Sequence, residues 1–469
     1  MDSVMSLPPC FTPPDAALQA VPLIAIDRDG LPGLLDSLPA AAKRWCESNS
    51  FSAEPHSALL LPDAEGGPQL ALAGVVSARD PLALGAAPLL LPPGDYRLDE
   101  ERGLRLEPGS ALLGWGLGAY QFTRYRKPTR AAARLVLGED AASQSEGFAQ
   151  LKASTLVRDL INTPTEDMGP DELEAIVRRI AHAYGAEVRC VRGAQLLAEN
   201  FPAIHAVGRA SHREPRLIEL LWGDAAHPRL AIVGKGVCFD TGGLDIKPAE
   251  GMRNMKKDMG GAAHALGLAQ LVMARKLPVR LQLLIGAVEN AISANAYRPG
   301  EVLSTRAGIS VEVDNTDAEG RIVLCDALAY AAESKPALLL DYATLTGAAR
   351  IALGPDLPAL FCNDEALASD YLQAAERSAD PLWRLPLWRP YLSYLSSSVA
   401  DLANSGSSRM AGAVTAAVYL DRFVPRELPW AHVDVYSWND SARPGRPAGG
   451  EAQGLRAAFG LLKQRFPHS

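Results

Sequence analysis

Residues 314–321 read Asp-Asn-Thr-Asp-Ala-Glu-Gly-Arg, three acidic groups and an arginine set among turn-forming residues. Just before them Ile309, Val311 and Val313 alternate with polar or small residues, the pattern of a strand ending at Asp314. Just after them Leu324, Leu328 and Ala331 recur at helical spacing up to Lys335 and Pro336. The octet is therefore read as a strand-to-helix turn, the place where an open α/β sheet puts its ligands.

Working outward, the same alternation repeats. A buried strand at Leu230-Ala-Ile-Val leads into Gly234-Lys-Gly, followed by a polar segment, a helix over 261–276 and a strand over 279–288. Further elements are expected at 338–341, 410–423, 432–436 and in a last helix over 451–466. A helix over 170–184 has Asp171 and Glu172 in its first turn, as the helix dipole favours. Residues 1–150 form a first domain of short apolar runs, such as Ala58-Leu-Leu-Leu and Pro88-Leu-Leu-Leu, between Pro/Gly/Asp turns. Gly114, Gly116 and Gly118 miss the dinucleotide spacing and read as tight-turn glycines. Phe148, Leu151, Leu156 and Leu160 mark a helix in the connecting segment 151–170, and 171–469 form the second domain. The expected architecture is two α/β domains, a smaller N-terminal one and a larger C-terminal one whose central, mostly parallel or mixed sheet is flanked by helices.

Composition bounds the function. The chain of 469 residues is long for one core, which agrees with two domains. With 54 acidic against 46 basic side chains, a net charge of -8 and no Lys/Arg block, nucleic-acid binding as the main task is disfavoured. Six scattered cysteines without a C-x-x-C pair argue against a zinc ribbon or a disulfide scaffold, and are expected to be reduced and mostly buried. The N-terminal stretch lacks a basic region followed by an apolar run, and no run of about 18 apolar residues occurs, so no membrane association and a cytoplasmic location are expected.

Three segments concentrate chemistry. Residues 234–248 contribute Lys235, Asp240, Asp245 and Lys247; residues 255–261 put Asp258 just before a helix; the octet adds Asp317, Glu319 and Arg321. Singly, each reads as a surface turn or a helix cap. Together, placed after or between core strands, they form a set of carboxylates that would repel one another without a cation or a proton. With no His/Cys cluster beside them, such a site is oxygen-lined and suits Mn²⁺, Mg²⁺ or Zn²⁺. Two ions clamping one water is the economical chemistry. His264 and His432 fall on apolar patterns and read as packed core histidines, and the signatures of zincins, serine hydrolases and P-loop enzymes are missing.

These segments resemble, in the right order, the signature regions of the leucyl aminopeptidase (M17) family, whose Asn-Thr-Asp-Ala-Glu-Gly-Arg hallmark is unchanged at 315–321. The resemblance covers the chain from about residue 159 to its C-terminus. It implies a two-metal exopeptidase in which Lys235, Asp240, Asp258 and Glu319 hold the tighter ion. Asp240, Asp317 and Glu319, with the Asp317 carbonyl, would hold the more exchangeable one, of Mn²⁺ or Zn²⁺ or also Mg²⁺. It implies Lys247 as the carbonyl-polarising lysine and Arg321, with Leu345 nearby, as the holder of a bicarbonate general base. Thr344-Leu-Thr-Gly-Ala348 resembles the loop beside the substrate side chain, with Thr344, Gly347 and Met255 lining a pocket suited to leucine or methionine and broad in taste. It also implies a homohexamer acting on peptides. Thr241 and Asp245 stand where small serine-like residues are common, and 438–450 is more basic and proline-rich than in familiar members. A dipeptidase, for instance one acting on cysteinylglycine, is the narrower alternative; a DNA-binding regulator is the rival from another class, tested by gel shift at about 0.15 M salt.

Overall fold

Apolar runs too short for helices become the strands of the N-terminal half. The computed structural model describes residues 7–107, 109–137, 141–406 and 408–468, so the first six residues of the N-terminal stretch read above lie outside the described residues. Two units are distinguished: residues 1–155 with 439–449, and residues 156–438 with 450–469.

In the first unit six strands, β1 (Phe11–Thr12), β2 (Val21–Ile26), β3 (Ala58–Pro62), β4 (Pro68–Gly74), β5 (Asp95–Leu98) and β6 (Arg134–Val136), form one sheet in the order β1-β6-β5-β2-β4-β3. All its pairings are parallel except β3 with β4. Pro88-Leu-Leu-Leu falls in a short helix, with proline in its first turn, where a missing N–H costs nothing. Gly114, Gly116 and Gly118 are not turn residues: they lie inside helix α1 (Ser110–Ala119). There they permit close approach, since a Cβ on Gly118 would sit 1.9 Å from the Gly85 carbonyl oxygen.

The second unit begins within α2 (Ala141–Asn162) and continues through α3 (Pro170–Tyr184). The start of α3 follows from its sequence. Pro170 opens it, and Glu172 Oε2 accepts the Gly169 N–H at 2.9 Å, one of the orphan donors of the first turn. Eight strands then build the central sheet: β7 (Glu187–Arg192), β8 (Arg216–Trp222), β9 (Arg229–Asp240), β10 (Arg280–Asn290), β13 (Leu338–Ala343), β14 (Ala359–Cys362), β15 (Trp383–Arg384) and β17 (Trp430–Asp434). Their order is β15-β14-β17-β13-β9-β10-β8-β7. The middle four strands are mutually parallel, and β8, β7 and β14 join antiparallel. A separate three-stranded sheet contains β11 (Val302–Leu303), β12 (Val311–Glu312) and β16 (Leu402–Ala403).

Helices α4 (Gly260–Ala274), α5 (Glu319–Glu333), α6 (Gly347–Leu353), α7 (Gly412–Asp421) and α8 (Leu455–Arg465) complete the elements used below. Leu230, Ala231, Ile232 and Val233 of β9 are fully buried, as are most residues of α4. A strand covered on both faces reads as a continuous apolar run, and a helix apolar all round lies in the core. Helix α4 packs closely on the neighbouring strand β13 at Gly261, where a Cβ would come within 2.2 Å of the Tyr342 carbonyl oxygen. Among the described residues no helix is long and apolar enough to cross a membrane.

Two further sequence expectations shift. The strand at 230–233 does not stop at Gly234: β9 runs on to Asp240 because β10 pairs with it along that whole length. The apolar alternation before Asp314 yields only the two-residue β12, which belongs to the small sheet, so the octet does not follow a strand of the central sheet.

Candidate metal centre

β9 carries two polar side chains into the core. Lys235 and Asp240 are each 2 % exposed. A lone buried charge is prohibitive, so each must be paired. The Lys235 ammonium lies 2.8 Å from Asp258 Oδ2, 2.8 Å from Glu319 Oε1 and 2.9 Å from the Thr344 carbonyl oxygen, to which it donates. The Lys247 ammonium lies 2.9 Å from Asp240 Oδ2 and 2.5 Å from Asp317 Oδ1. Asp258 enters from the turn before α4 and accepts the Thr344 hydroxyl at 2.8 Å. Glu319 is the first residue of α5.

Carboxylate oxygens of Asp240, Asp317 and Glu319 come within 4.8 Å of one another. Four acidic groups face two ammoniums, which leaves the cluster negative in a buried place. The cost shows in the acids: burial, and then the charge of Asp240, push Asp317 up to about 6 and Glu319 well above the usual carboxylate range. Both lysines are held above their ordinary value: burial opposes this, but the surrounding carboxylates outweigh it. Glu319 Oε2 is buried and has no hydrogen-bond partner among the described residues. Excess buried negative charge, converging oxygens and an orphaned carboxylate oxygen fit divalent cations.

A cleft of about 280 Å³ opens over the cluster. Lys235, Asp240, Lys247, Met255, Asp258, Asp317, Glu319, Thr344, Leu345 and Gly347, all singled out in the sequence, line it together. Arg321 does not line it; its Nη1 donates to the Asn404 carbonyl at 2.6 Å. His264 and His432 are fully buried and lie elsewhere. His264 Nε2 accepts the Gln453 N–H and its Nδ1 donates to the Gly260 carbonyl, while His432 Nδ1 meets Asp341 Oδ1 at 2.6 Å.

Asn290, Tyr297 and Asn404, which the sequence did not flag, and Asp245, which it did, hold the loops in place. Asn290, at the end of β10, donates to Asp240 Oδ1 at 2.8 Å and to the Thr316 carbonyl at 3.0 Å. Tyr297 donates its hydroxyl to the same carbonyl at 2.6 Å. Asp245 accepts the Thr316 N–H at 2.8 Å, and its own N–H donates to the Thr316 hydroxyl at 2.8 Å. That reciprocal pair joins the octet to the loop after β9; Asp245 is exposed to solvent, and its hydrogen bonds go to Thr316 rather than to Lys247. Asn404 accepts the Asp314 and Asn315 N–H groups and donates to the Asn315 carbonyl. The available signal was Asx-type residues opposite a turn, which a single sequence cannot pair up.

The chain is similar to known proteins along most of its length. Residues 155–459 match the catalytic domain of the cytosol aminopeptidase family, and residues 21–138 match the M17 aminopeptidase N-terminal domain. A probable cytosol aminopeptidase of Roseiflexus castenholzii is 40 % identical over 364 residues, 74 % of each chain. One from Xanthobacter autotrophicus is 35 % identical over 92 % of each chain. The crystal structure of a cytosol aminopeptidase from Coxiella burnetii superposes with a TM-score of 0.91 at 49 % identity, covering 95 % of this chain and 97 % of that one. The bottromycin maturation enzyme BotP in complex with Mn is similar at a TM-score of 0.85 and 31 % identity, over 95 % of this chain and 99 % of that one.

Proposed function

The chain belongs to the cytosol aminopeptidase (M17) family of metal-dependent peptidases, and from that premise we propose that it removes N-terminal residues from peptides with two divalent ions in the cleft described above. The observation that carries this reading is the convergence of the Asp240, Asp317 and Glu319 carboxylates beside two buried ammoniums. Lys235, Asp240, Asp258 and Glu319 would hold one ion. Asp240, Asp317 and Glu319, with the Asp317 carbonyl, would hold the other. Bound there, such ions would supply Lewis-acid chemistry toward a water, the scissile carbonyl and the substrate's α-amine.

The chain's own residues then have distinct tasks. Lys247 lines the cleft beside Asp240 and Asp317, where a protonated amine can donate to a carbonyl oxygen as negative charge develops on it. Lys235 is enclosed by Asp258, Glu319 and the Thr344 carbonyl, so it must lose a proton before it can act as a ligand. Arg321 and Leu345 would hold bicarbonate as general base. Leu345 lines the cleft, and Arg321 has the Asn404 carbonyl as its acceptor, leaving other guanidinium N–H groups for an anion. Met255, Thr344 and Gly347 would flank the substrate side chain. Gly347 borders open space, since a Cβ there would meet nothing within 4 Å. Native Mn²⁺ or Zn²⁺, a hexameric assembly and a cytoplasmic location belong to the same reading.

The test is Glu319→Ala, assayed for bound metal by elemental analysis and for hydrolysis of leucine p-nitroanilide. Loss of both is expected, because the variant lacks a carboxylate that would serve both ions. Normal metal content with normal turnover would sink the assignment.

A further inference from the structure

The cleft carries two more cations than the chemistry above uses. Lys257 is only 7 % exposed, yet its ammonium makes no hydrogen bond or ion pair with any described residue; it lies 4.6 Å from the ring centroid of Tyr436. Arg350, on α6, stacks on the same ring at 4.7 Å and donates from Nη1 to the Tyr436 hydroxyl at 2.9 Å, and it too has no carboxylate partner. Both line the cleft, together with Met255, Gly347 and Tyr436.

The nearby acids are accounted for. Asp434 accepts the Thr346 hydroxyl at 2.7 Å and the Leu345 N–H at 2.9 Å. Asp258 is taken by Lys235 and Thr344. Glu250, the remaining carboxylate of the lining, is exposed and solvated. Two divalent ions would offset the four carboxylates of the centre, and neither Lys257 nor Arg350 forms an ion pair with the two other carboxylates of the lining, Asp434 and Glu250, among the described residues. A buried ammonium with no carboxylate in hydrogen-bond contact, beside a guanidinium with spare donors, makes a pair able to bind a carboxylate.

On the aminopeptidase reading, on which this rests, we propose that Lys257 and Arg350 recognise the side-chain carboxylate of an N-terminal glutamate or aspartate, so that the enzyme accepts acidic as well as apolar N-terminal residues. Met255 and Lys257 stand two residues apart on the turn before α4, and Gly347 and Arg350 three apart on α6, so the cations neighbour the residues assigned to the substrate side chain. The stem of a glutamate packs on Met255 and Tyr436 while its carboxylate reaches the cations. Specificity here depends on pairing a polar group, which discriminates more strongly than adding a methylene.

The experiment compares kcat/KM for glutamyl, aspartyl and leucyl p-nitroanilides in wild type, Lys257→Met and Arg350→Gln. Isothermal titration of free L-glutamate and L-leucine supplies a readout independent of turnover. Wild type should hydrolyse the acidic substrates, and the glutamyl-to-leucyl ratio should fall about tenfold in each variant, with glutamate binding weakened in parallel. Arg350 is exposed, so Arg350→Gln tests the idea even if Lys257→Met folds poorly. Leucyl hydrolysis without glutamyl hydrolysis in wild type, or a ratio unmoved in both variants, overturns this inference and leaves the aminopeptidase reading intact. No hydrolysis of any p-nitroanilide by the metal-loaded wild type overturns the reading beneath it. A fall in Leu-Gly relative to Leu-Gly-amide, with the glutamyl ratio unchanged, would assign the cations to a dipeptide's terminal carboxylate and so refute the side-chain proposal.

Discussion

Glu174 on α3 offers a test of how the second unit is held together, away from the cleft. Its carboxylate is buried and serves three guanidiniums: Arg178 Nε at 2.7 Å, Arg216 Nη1 at 2.8 Å and Arg192 Nε at 2.9 Å, with the Cys190 thiol donating at 3.1 Å. Burial pushes its carboxyl up, but the hydrogen bonds from Arg192, Arg178, Cys190 and Arg216 outweigh it and hold it at about 2. Glu174→Gln keeps the shape and removes the charge. Breaking a buried pair costs roughly 3–5 kcal/mol. Here Arg216 retains Asp171 and the Glu214 carbonyl, and the side chains of Arg178 and Arg192 are each 47 % exposed to water. We therefore expect about 2–3 kcal/mol in urea unfolding at neutral pH.

The pH dependence has a definite sign. A carboxyl whose folded pKa lies below its ordinary value of 4.5 stabilises the fold fully above that value and loses the contribution as pH falls toward about 2. The gap between wild type and variant should thus narrow between those limits. The Cys190 thiol, pushed up to about 11 by burial first and then by Glu174, should become more acidic in the variant while staying above an ordinary thiol. A stability loss under about 0.5 kcal/mol, the range of unremarkable surface changes, or a gap that stays constant down to pH 3 would refute the reasoning.

Other outcomes follow from the same coordinates. Gly261→Ala places a Cβ 2.2 Å from backbone on β13, so α4 must move off the sheet; we expect at least about 2 kcal/mol of lost stability in urea unfolding. Asp245→Ala removes the acceptor for the Thr316 N–H, at a cost of about 1–3 kcal/mol, and should loosen the octet; equilibrium dialysis should find weaker metal retention although Asp245 is not assigned as a ligand. Lys247→Ala should lower kcat while metal content stays normal, because its assigned interaction belongs to the transition state; loss of both ions would make it a structural residue instead.

How much of this was legible beforehand depended on the kind of signal. Local patterns carried far: Pro170 with Asp171 and Glu172 announced α3, and Leu324, Leu328 and Ala331 announced α5. Long-range pairing was not visible. The polar half of β9 looked like a loop because Lys235 and Asp240 are made tolerable by Asp258, Glu319 and Asn290, which lie far away in sequence. The alternating residues before Asp314 promised a core strand, but strand membership is decided by partners, and those partners are the short β11 and β16. Gly116 and Gly118 suggested turns, whereas close packing against Leu151 and Gly85 gives glycine inside a helix an equal purpose. The carboxylates and lysines stood out by type and order, while Asn290, Tyr297, Thr316 and Asn404 were ordinary residues until geometry placed them.

The central claim is tested most directly by stripping the protein with a chelator, confirming the loss by elemental analysis and re-supplying Mn²⁺, Zn²⁺ or Mg²⁺ separately while following leucine p-nitroanilide hydrolysis. The account predicts that turnover disappears with the metal and returns as two ions bind per chain. Turnover that persists after the metal is gone would contradict it.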